Sequence, residues 1–322
     1  MKTVHVPIIS LFLVVLVSAT FLTGCTDSGG SAQNPIGYDL YVDDDFSAGT
    51  DGWDETHFNS IQSAINKCQQ NDSIYVYSGL YSENIIIEKY VELYGEDVQS
   101  TIIVGLDDSK DIIYINDTGR ATISGFTFTN RTEITNPKDD LAGIDIRSDN
   151  NTITDNLFKN LGTGIYTTYT DKNNFSHNVF VNAKKYGILA YTYSKYTEIT
   201  YNLFENNSYA LRIKGTSYTN VSNNIFINNT RGVYVCCGSY DNRIYSNSFI
   251  NNFQYHVSDA YENTYDIHGK GNYWDTFHTI DQGANDTDQD GIVDTPYNIS
   301  NGSNMDNYPL VNPLFIDTLK IE

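Results

Sequence analysis

Between residues 121 and 274 the apolar positions come in short bursts at a fixed interval, without the three-to-four spacing of an amphipathic helix. The bursts are Ile153-Thr-Asp-Asn-Leu-Phe-Lys-Asn160, Phe175-Ser-His-Asn-Val-Phe-Val-Asn182, Ile199-Thr-Tyr-Asn-Leu-Phe-Glu-Asn206, Val221-Ser-Asn-Asn-Ile-Phe-Ile-Asn228 and Ile244-Tyr-Ser-Asn-Ser-Phe-Ile-Asn251. Ile123 to Asn130 is an earlier copy and Ile267 to Trp274 a degenerate last one. From Ile153 the starts lie 22, 24, 22, 23 and 23 residues apart. A second marker, a small residue leading an apolar one (Gly143-Ile, Gly164-Ile, Gly187-Ile, Ala210-Leu, Gly232-Val), steps by 21, 23, 23 and 22. Two markers sharing one period predict a solenoid with two or three short strands per turn.

The predicted fold is therefore all-β: a right-handed, single-stranded parallel β-helix. Its rungs lie about 4.8 Å apart, so equivalent residues form columns. Phe128, Phe158, Phe180, Phe204, Phe226 and Phe249 form an internal aromatic stack in this reading. Asn156, Asn178, Asn202, Asn224 and Asn247 form a turn column whose amides satisfy one another and tolerate left-handed backbone. No proline occurs between Pro137 and Pro296, as an unbroken ladder requires. A leucine-rich horseshoe has a similar period, but its Leu framework and helical arcs are missing. Earlier, less regular rungs are expected at Ile74-Tyr-Val, Ile85-Ile-Ile, Val91-Glu-Leu and Ile102-Ile-Val. Phe58, Ile61, Ala64, Ile65 and Cys68 make a helical stripe within about 58–70 that would cap the first rung and its exposed strand edge. The longer step from Ile123 to Ile153 predicts a loop at Arg131 to Asp140.

The first residues give an address. Lys2, an apolar run from Val6 to Leu22 and Leu22-Thr23-Gly24-Cys25 describe an export signal over 1–25 ending in what resembles a lipobox, with Cys25 lipidated. The rival is an uncleaved anchor, but about 17 residues interrupted by Pro7, Ser10, Ser18 and Thr20 are marginal for spanning. Either reading places the remainder outside the cytoplasm, membrane-anchored at the cell surface. Residues 26–36 read as a flexible tether and 37–318 as the β-helix domain, with regular rungs over about 121–274 and a C-terminal cap over about 275–313.

Composition sharpens this picture. Lys+Arg 19 against Asp+Glu 40 gives a net charge of −21 in 322 residues, which argues against nucleic acid as a partner. There are 36 Asn and 26 Tyr, and eleven Asn-x-Ser/Thr sequons would suit a glycosylated protein, although Asn- and Thr-rich turns also generate them by chance. Apart from Cys25 there remain Cys68, Cys236 and Cys237, too few for a disulfide framework. A vicinal Cys236–Cys237 disulfide would be strained, so free thiols are expected.

Phe58-x-Ser-Ile-Gln-x-Ala-Ile65, Asp72-Ser-Ile-Tyr-Val76 and Gly79-x-Tyr-x-Glu-Asn84 resemble the opening of NosD-type β-helix proteins of the pectin-lyase-like superfamily. Gly271-Asn-Tyr-Trp274, Asp288-x-Asp-Gly-Ile-x-Asp-Thr-Pro-Tyr297 and Asp306-Asn-Tyr-Pro-Leu310 are similar to that family's closing segment. The resemblance covers about Tyr41 to Pro313. It implies an exported protein grouped with copper-delivery accessories and surface carbohydrate-acting proteins; the fold alone chooses no function.

Candidate chemistry follows from the second strands. With Ile144, Ile165, Ile188, Leu211, Val233 and Tyr255 inward, alternation sends out Asp145, Tyr166, Leu189, Arg212, Tyr234 and His256, then Arg147, Thr168, Tyr191, Lys214, Cys236 and Ser258. Tyrosines interleaved with Asp145, Arg147, Arg212, Lys214 and His256 suit a polysaccharide or another envelope component, bound without catalysis. Surface stabilisation in a Tyr-rich chain is the plainer reading. Hydrolysis needs a carboxylate pair and the face offers only Asp145. A calcium-dependent uronan lyase would use Arg212 or Lys214 as base, with Asp139 and Asp140 among the metal ligands. Asp286, Asp288, Asp290, Asp294 and the Ile292 carbonyl, around Gly291, have calcium-loop spacing, although Tyr297 replaces the final EF-hand Glu. The expected role is structural. For copper the soft candidates are Cys236, Cys237 and His256, a weak set.

Overall fold

The computed structural model describes residues 35, 37–107, 109–130 and 141–314. The expected export signal with Cys25, nearly all of the tether, the 131–140 loop and residues 315–318 lie outside that set.

The chain winds as a parallel β-solenoid of three sheets, with ten, nine and eight strands among the described residues. The first sheet carries the strands that open each burst: Ile123, Ile153, Phe175, Ile199, Val221 and Ile244 are direct partners on successive rungs. The second carries the phenylalanines, the third the glycine-led strands. The less regular early rungs also form, as Ser73–Val76, Ile85–Ile87, Tyr90–Gly95 and Thr101–Val104. The capping helix is Ile61–Lys67, which buries Ile61, Ala64 and Ile65. Its first amides, at Ile61 and Gln62, donate to the Glu83 carboxylate at 2.8 and 2.9 Å. That contact gives Glu83 in the opening motif a structural role, because free N–H groups at a helix start need acceptors.

The aromatic column forms as expected. From Phe128 to Phe249, successive rings stack with centroids 4.8–4.9 Å apart, the rung spacing itself. Trp274 at 4.6 Å and then Tyr297 at 4.3 Å continue it into the C-terminal cap. Each phenylalanine ring is removed from water and contributes about 1.5–3 kcal/mol of transfer free energy.

The asparagine column also forms, with one correction. The left-handed residues are those just before it: Asp155, His177, Tyr201, Asn223 and Ser246, with φ of 51–58°. The column residues turn their amides inward. From Asn178 on, each Oδ1 accepts from the backbone N–H and the Nδ2 of the rung before, and that of Asn156 accepts from the Phe126 N–H, so a buried turn leaves few polar groups unpaired. The column ends at Asn272 and then Asp306, whose carboxylate accepts from the Asn272 backbone and from Trp274 Nε1. A second amide ladder, Asn207, Asn229 and Asn252, lines the next corner.

Candidate functional site

The candidate face is the outer side of the third sheet, on strands Ala142–Ile146, Thr163–Thr168, Tyr186–Tyr191, Tyr209–Lys214, Arg231–Cys236 and Tyr255–Asp259. Ile144, Ile165, Ile188, Leu211, Val233 and Val257 are register partners and line the core. Strict alternation breaks at the residue before each of them. A Cβ at Gly164 would lie 2.7 Å from Phe180 Cδ1, and one at Gly187 2.9 Å from Phe204 Cδ1. Glycine and the following aliphatic residue both face inward, and at Gly164 and Gly187 the phenylalanine stack leaves no room for a Cβ.

That bend has two consequences. It adds an outward column absent from the sequence-based map, Tyr186, Tyr209, Arg231 and Tyr255, in register one rung apart. It also corrects the last rung. Tyr255 is not inward but pairs with Arg231; Ser258, not His256, pairs with Tyr234. His256 occupies the glycine position, buried at the corner, with Nε2 2.8 Å from Asp275 Oδ1 and Nδ1 3.2 Å from Asn252 Nδ2. It takes no part in the face.

Asp145, Tyr166, Leu189, Arg212 and Tyr234 do form one column, and Tyr191, Lys214 and Cys236 another. The two ends of the face differ. At the N-terminal end Asp145 and Leu189 are 2% exposed and Tyr166 7%. There Arg147 donates to Asp145 at 2.7 Å and lies 4.8 Å from the Tyr166 ring centre, so Asp145 is neutralised and Tyr166 offers little free surface. The C-terminal end, where Tyr186 and Cys236 are buried and the cations and remaining tyrosines half-exposed, alternates cations with rings. Arg212 lies between Tyr186 and Tyr234, at 5.5 and 5.4 Å; Arg231 lies over Tyr209 at 4.4 Å and Lys214 over Tyr191 at 4.5 Å. Burial opposes charge on Arg212, but neighbouring Tyr186 and Cys236 outweigh it and hold its pKa above the usual value. The guanidinium is a fixed cation between two aromatic faces.

Among the described residues the outward columns hold one carboxylate, Asp145, and it is paired. Asp259, in the inward row after Val235, is held by Asn263, Tyr265 and Asn304 inside the cap. The lyase ligands Asp139 and Asp140 lie outside the described residues.

Cys236 and Cys237 Sγ are 2.8 Å apart, and Arg212 Nη2 approaches Cys236 Sγ at 3.8 Å. Burial, with the Cys237 contact, pushes the Cys236 thiol up to about 11, away from the thiolate form that binds metals. With His256 turned to Asp275, these three soft candidates do not form a copper centre among the described residues. The one group of three metal-ligating side chains close enough to share an ion, among the described residues, is Asp286, Asp288 and Asp290, with ligand atoms within 4.8 Å of one another. Gly291 sits at φ 88° in the turn, where its N–H donates to Asp286. Asp294 is drawn off instead to Thr287, whose backbone N–H lies 2.9 Å away, and these hydrogen bonds lower its pKa.

Comparison with known proteins gives the family. Residues 65–279 match the family described as periplasmic copper-binding protein (NosD), and the chain belongs to it; that description agrees with an extracytoplasmic location. No curated protein matches. Among solved structures, the catalytic domain of a GH87 α-1,3-glucanase in complex with nigerose is similar at 16% identity and TM-score 0.46, over 77% of this chain and 46% of that one. This chain thus spans less than half of the glucanase domain's length. A pectin methylesterase in complex with a hexasaccharide aligns at 14% identity and TM-score 0.39, over 69% and 81%. Pectin methylesterase PemA from Erwinia chrysanthemi aligns at 13% and 0.35, over 72% and 82%. These are likenesses of fold alone.

Proposed function

We propose that the protein is a lipid-anchored cell-surface β-helix that binds a polysaccharide or another envelope glycan along the open end of the third-sheet face, without cleaving it. The observation that carries this reading is the alternation of Arg212, Lys214 and Arg231 with Tyr191, Tyr209 and Tyr234 in register across adjacent rungs. Ring faces take up the apolar faces of sugar rings, and guanidinium groups take up oxygen-bearing substituents. A rigid parallel sheet keeps both in place before the ligand arrives, which limits the ordering cost of binding.

The test is retention of the full mature chain on a panel of immobilised envelope polysaccharides. Arg212→Ala combined with Tyr234→Ala should weaken retention at least about tenfold, since buried-edge Tyr and Arg anchors each contribute on the order of 1.4 kcal/mol or more. Unchanged retention removes the face as the binding site, and an unsaturated product from any uronate polymer replaces binding with lysis.

We also propose a structural calcium ion at Asp286, Asp288 and Asp290, with the Ile292 carbonyl as a further ligand. Three carboxylates held this close repel one another, and a divalent cation relieves the repulsion while tying the cap loop together.

A further inference from the structure

The turn that follows each third-sheet strand carries a column of its own. Tyr169 and Tyr193 lie in it on successive rungs, rings 5.3 Å apart, and the Tyr193 amide donates to the carbonyl of Gly215 on the next rung, where Gly215 follows Lys214, the partner of Tyr191. Backbone geometry does not require glycine there. Tyr169 and Tyr193 adopt left-handed backbone in the same turn at φ 55° and 59°, against 66° for Gly215. Crowding does not require it either, because a Cβ on Gly215 would meet nothing closer than 3.5 Å. What glycine changes is the surface: with no side chain at Gly215, a hollow of about 390 Å³ lies there, within the small-ligand range of roughly 300–1,000 Å³.

The hollow has a definite chemistry. Tyr193, 64% exposed, and Tyr240, 49% exposed, flank it. Lys195 and Lys214 line it, and neither forms an ion pair with a carboxylate among the described residues. Thr216, almost fully buried, also lines it, and its hydroxyl has no hydrogen-bond partner within the protein. Charge along the chain points the same way. Residues 141–240 carry nine Lys/Arg against six Asp/Glu, net +3, whereas the remainder carries ten against 34, net −24. An acidic molecule with a basic waist draws an anionic chain to its middle and repels it from both ends.

We infer that the hollow at Gly215 seats a negatively charged pyranose residue, so that the polysaccharide bound by the adjoining face is an anionic one. The sugar ring lies between Tyr193 and Tyr240, its carboxylate or sulfate meets Lys195 and Lys214, and a ring hydroxyl pairs with Thr216. This inference rests on the proposed binding face, which Lys214 joins to the hollow.

Affinity electrophoresis of the full mature chain in gels containing polygalacturonate, dextran sulfate or neutral dextran tests it. The wild type should be retarded by at least one of the two anionic polymers, less so at high salt, and about tenfold less by neutral dextran; the responding polymer identifies the charged group. Gly215→Tyr, which fills the hollow with a side chain, and Lys195→Gln should each weaken anionic retention about tenfold, while Lys195→Arg retains it. Melting temperature serves as the folding control. Equal retention by charged and neutral polymers, or hollow variants that bind like wild type while Arg212→Ala/Tyr234→Ala does not, overturns the inference and leaves the face standing. A wild type retarded by none of the three overturns the inference.

Discussion

The amide ladder bears most of the polar cost of building a turn inside the protein, and Asn202→Ala measures it. Asn202 is fully buried. Its Oδ1 accepts from the Asn178 backbone N–H at 2.9 Å and from Asn178 Nδ2 at 3.2 Å, while its Nδ2 donates to the carbonyls of Phe175 and Thr200 and to Asn224 Oδ1. Alanine orphans the Asn178 N–H at a cost of about 1–3 kcal/mol, and the lost donations to two carbonyls add roughly another 1 kcal/mol. We expect a total near 3 kcal/mol, equivalent to a fall in melting temperature of about 6–12 °C for a domain of this size. Amide exchange at Asn178 should accelerate before that of distant rungs, because a solenoid transmits loss mainly to neighbouring repeats. Asn206→Gly is the control: Asn206 is exposed at φ 56°, glycine accepts that conformation, and the change should stay within about 0.5 kcal/mol. A loss below about 1 kcal/mol for Asn202→Ala would show that the ladder merely follows the fold.

Three further outcomes are expected. Burial, outweighing the hydrogen bonds it accepts, pushes the Asp306 carboxyl up from 3.8 to about 6; an acid whose folded pKa is raised contributes stability fully below about pH 4 that is lost as pH climbs through 6. Asp306→Asn should therefore flatten that part of the stability–pH curve, as followed by thermal unfolding relative to wild type. Calcium at about 100 times its dissociation constant should stabilise the cap by about 2.7 kcal/mol if the ion binds only the folded state; Asp288→Asn should abolish the shift in a calorimetric scan, and no shift in the wild type refutes the calcium proposal. Cys25→Ser should release the protein from the membrane fraction on cell fractionation, whereas continued sedimentation with membranes would favour an uncleaved anchor.

The fold was legible because the residues that repeat do so for packing reasons. Phenylalanine must stack on phenylalanine and an amide on an amide, so a 22–24-residue period appears in the sequence wherever the rungs do. The site was legible only in part, because its map ran alternation forward from the aliphatic residue after the glycine and left the residues before the glycine unplaced. The glycine faces the phenylalanine stack together with the next residue, so alternation restarts there and Tyr186, Tyr209 and Arg231 emerge on the outside. His256 was misplaced for a related reason. Its rung lacks the small residue that marks the others, although the 24-residue step from Val233 to Val257 was available as a signal. The hollow at Gly215 left almost no trace, since a glycine in a turn ordinarily reads as a conformational requirement, and only its tyrosine neighbours at the same φ show otherwise.

A stacked architecture brings equivalent residues within about 4.8 Å of one another, which rewards identical neighbours in the core and penalises them wherever they are charged. Two cations at that distance repel by roughly 3.5 kcal/mol at an effective dielectric of 20. The face avoids this. Arg212 has Leu189 below and Tyr234 above; Lys214 has Tyr191 and Cys236; Arg231 has Tyr209 and Tyr255. The cations thus step from column to column, each resting on an aromatic ring of the preceding rung or column. Simple surface stabilisation would be met equally well by threonine or by cross-strand ion pairs, of which the open end has none among the described residues. Cations spaced this way, cushioned by rings and left without carboxylates, leave the negative partner to be supplied from outside the chain.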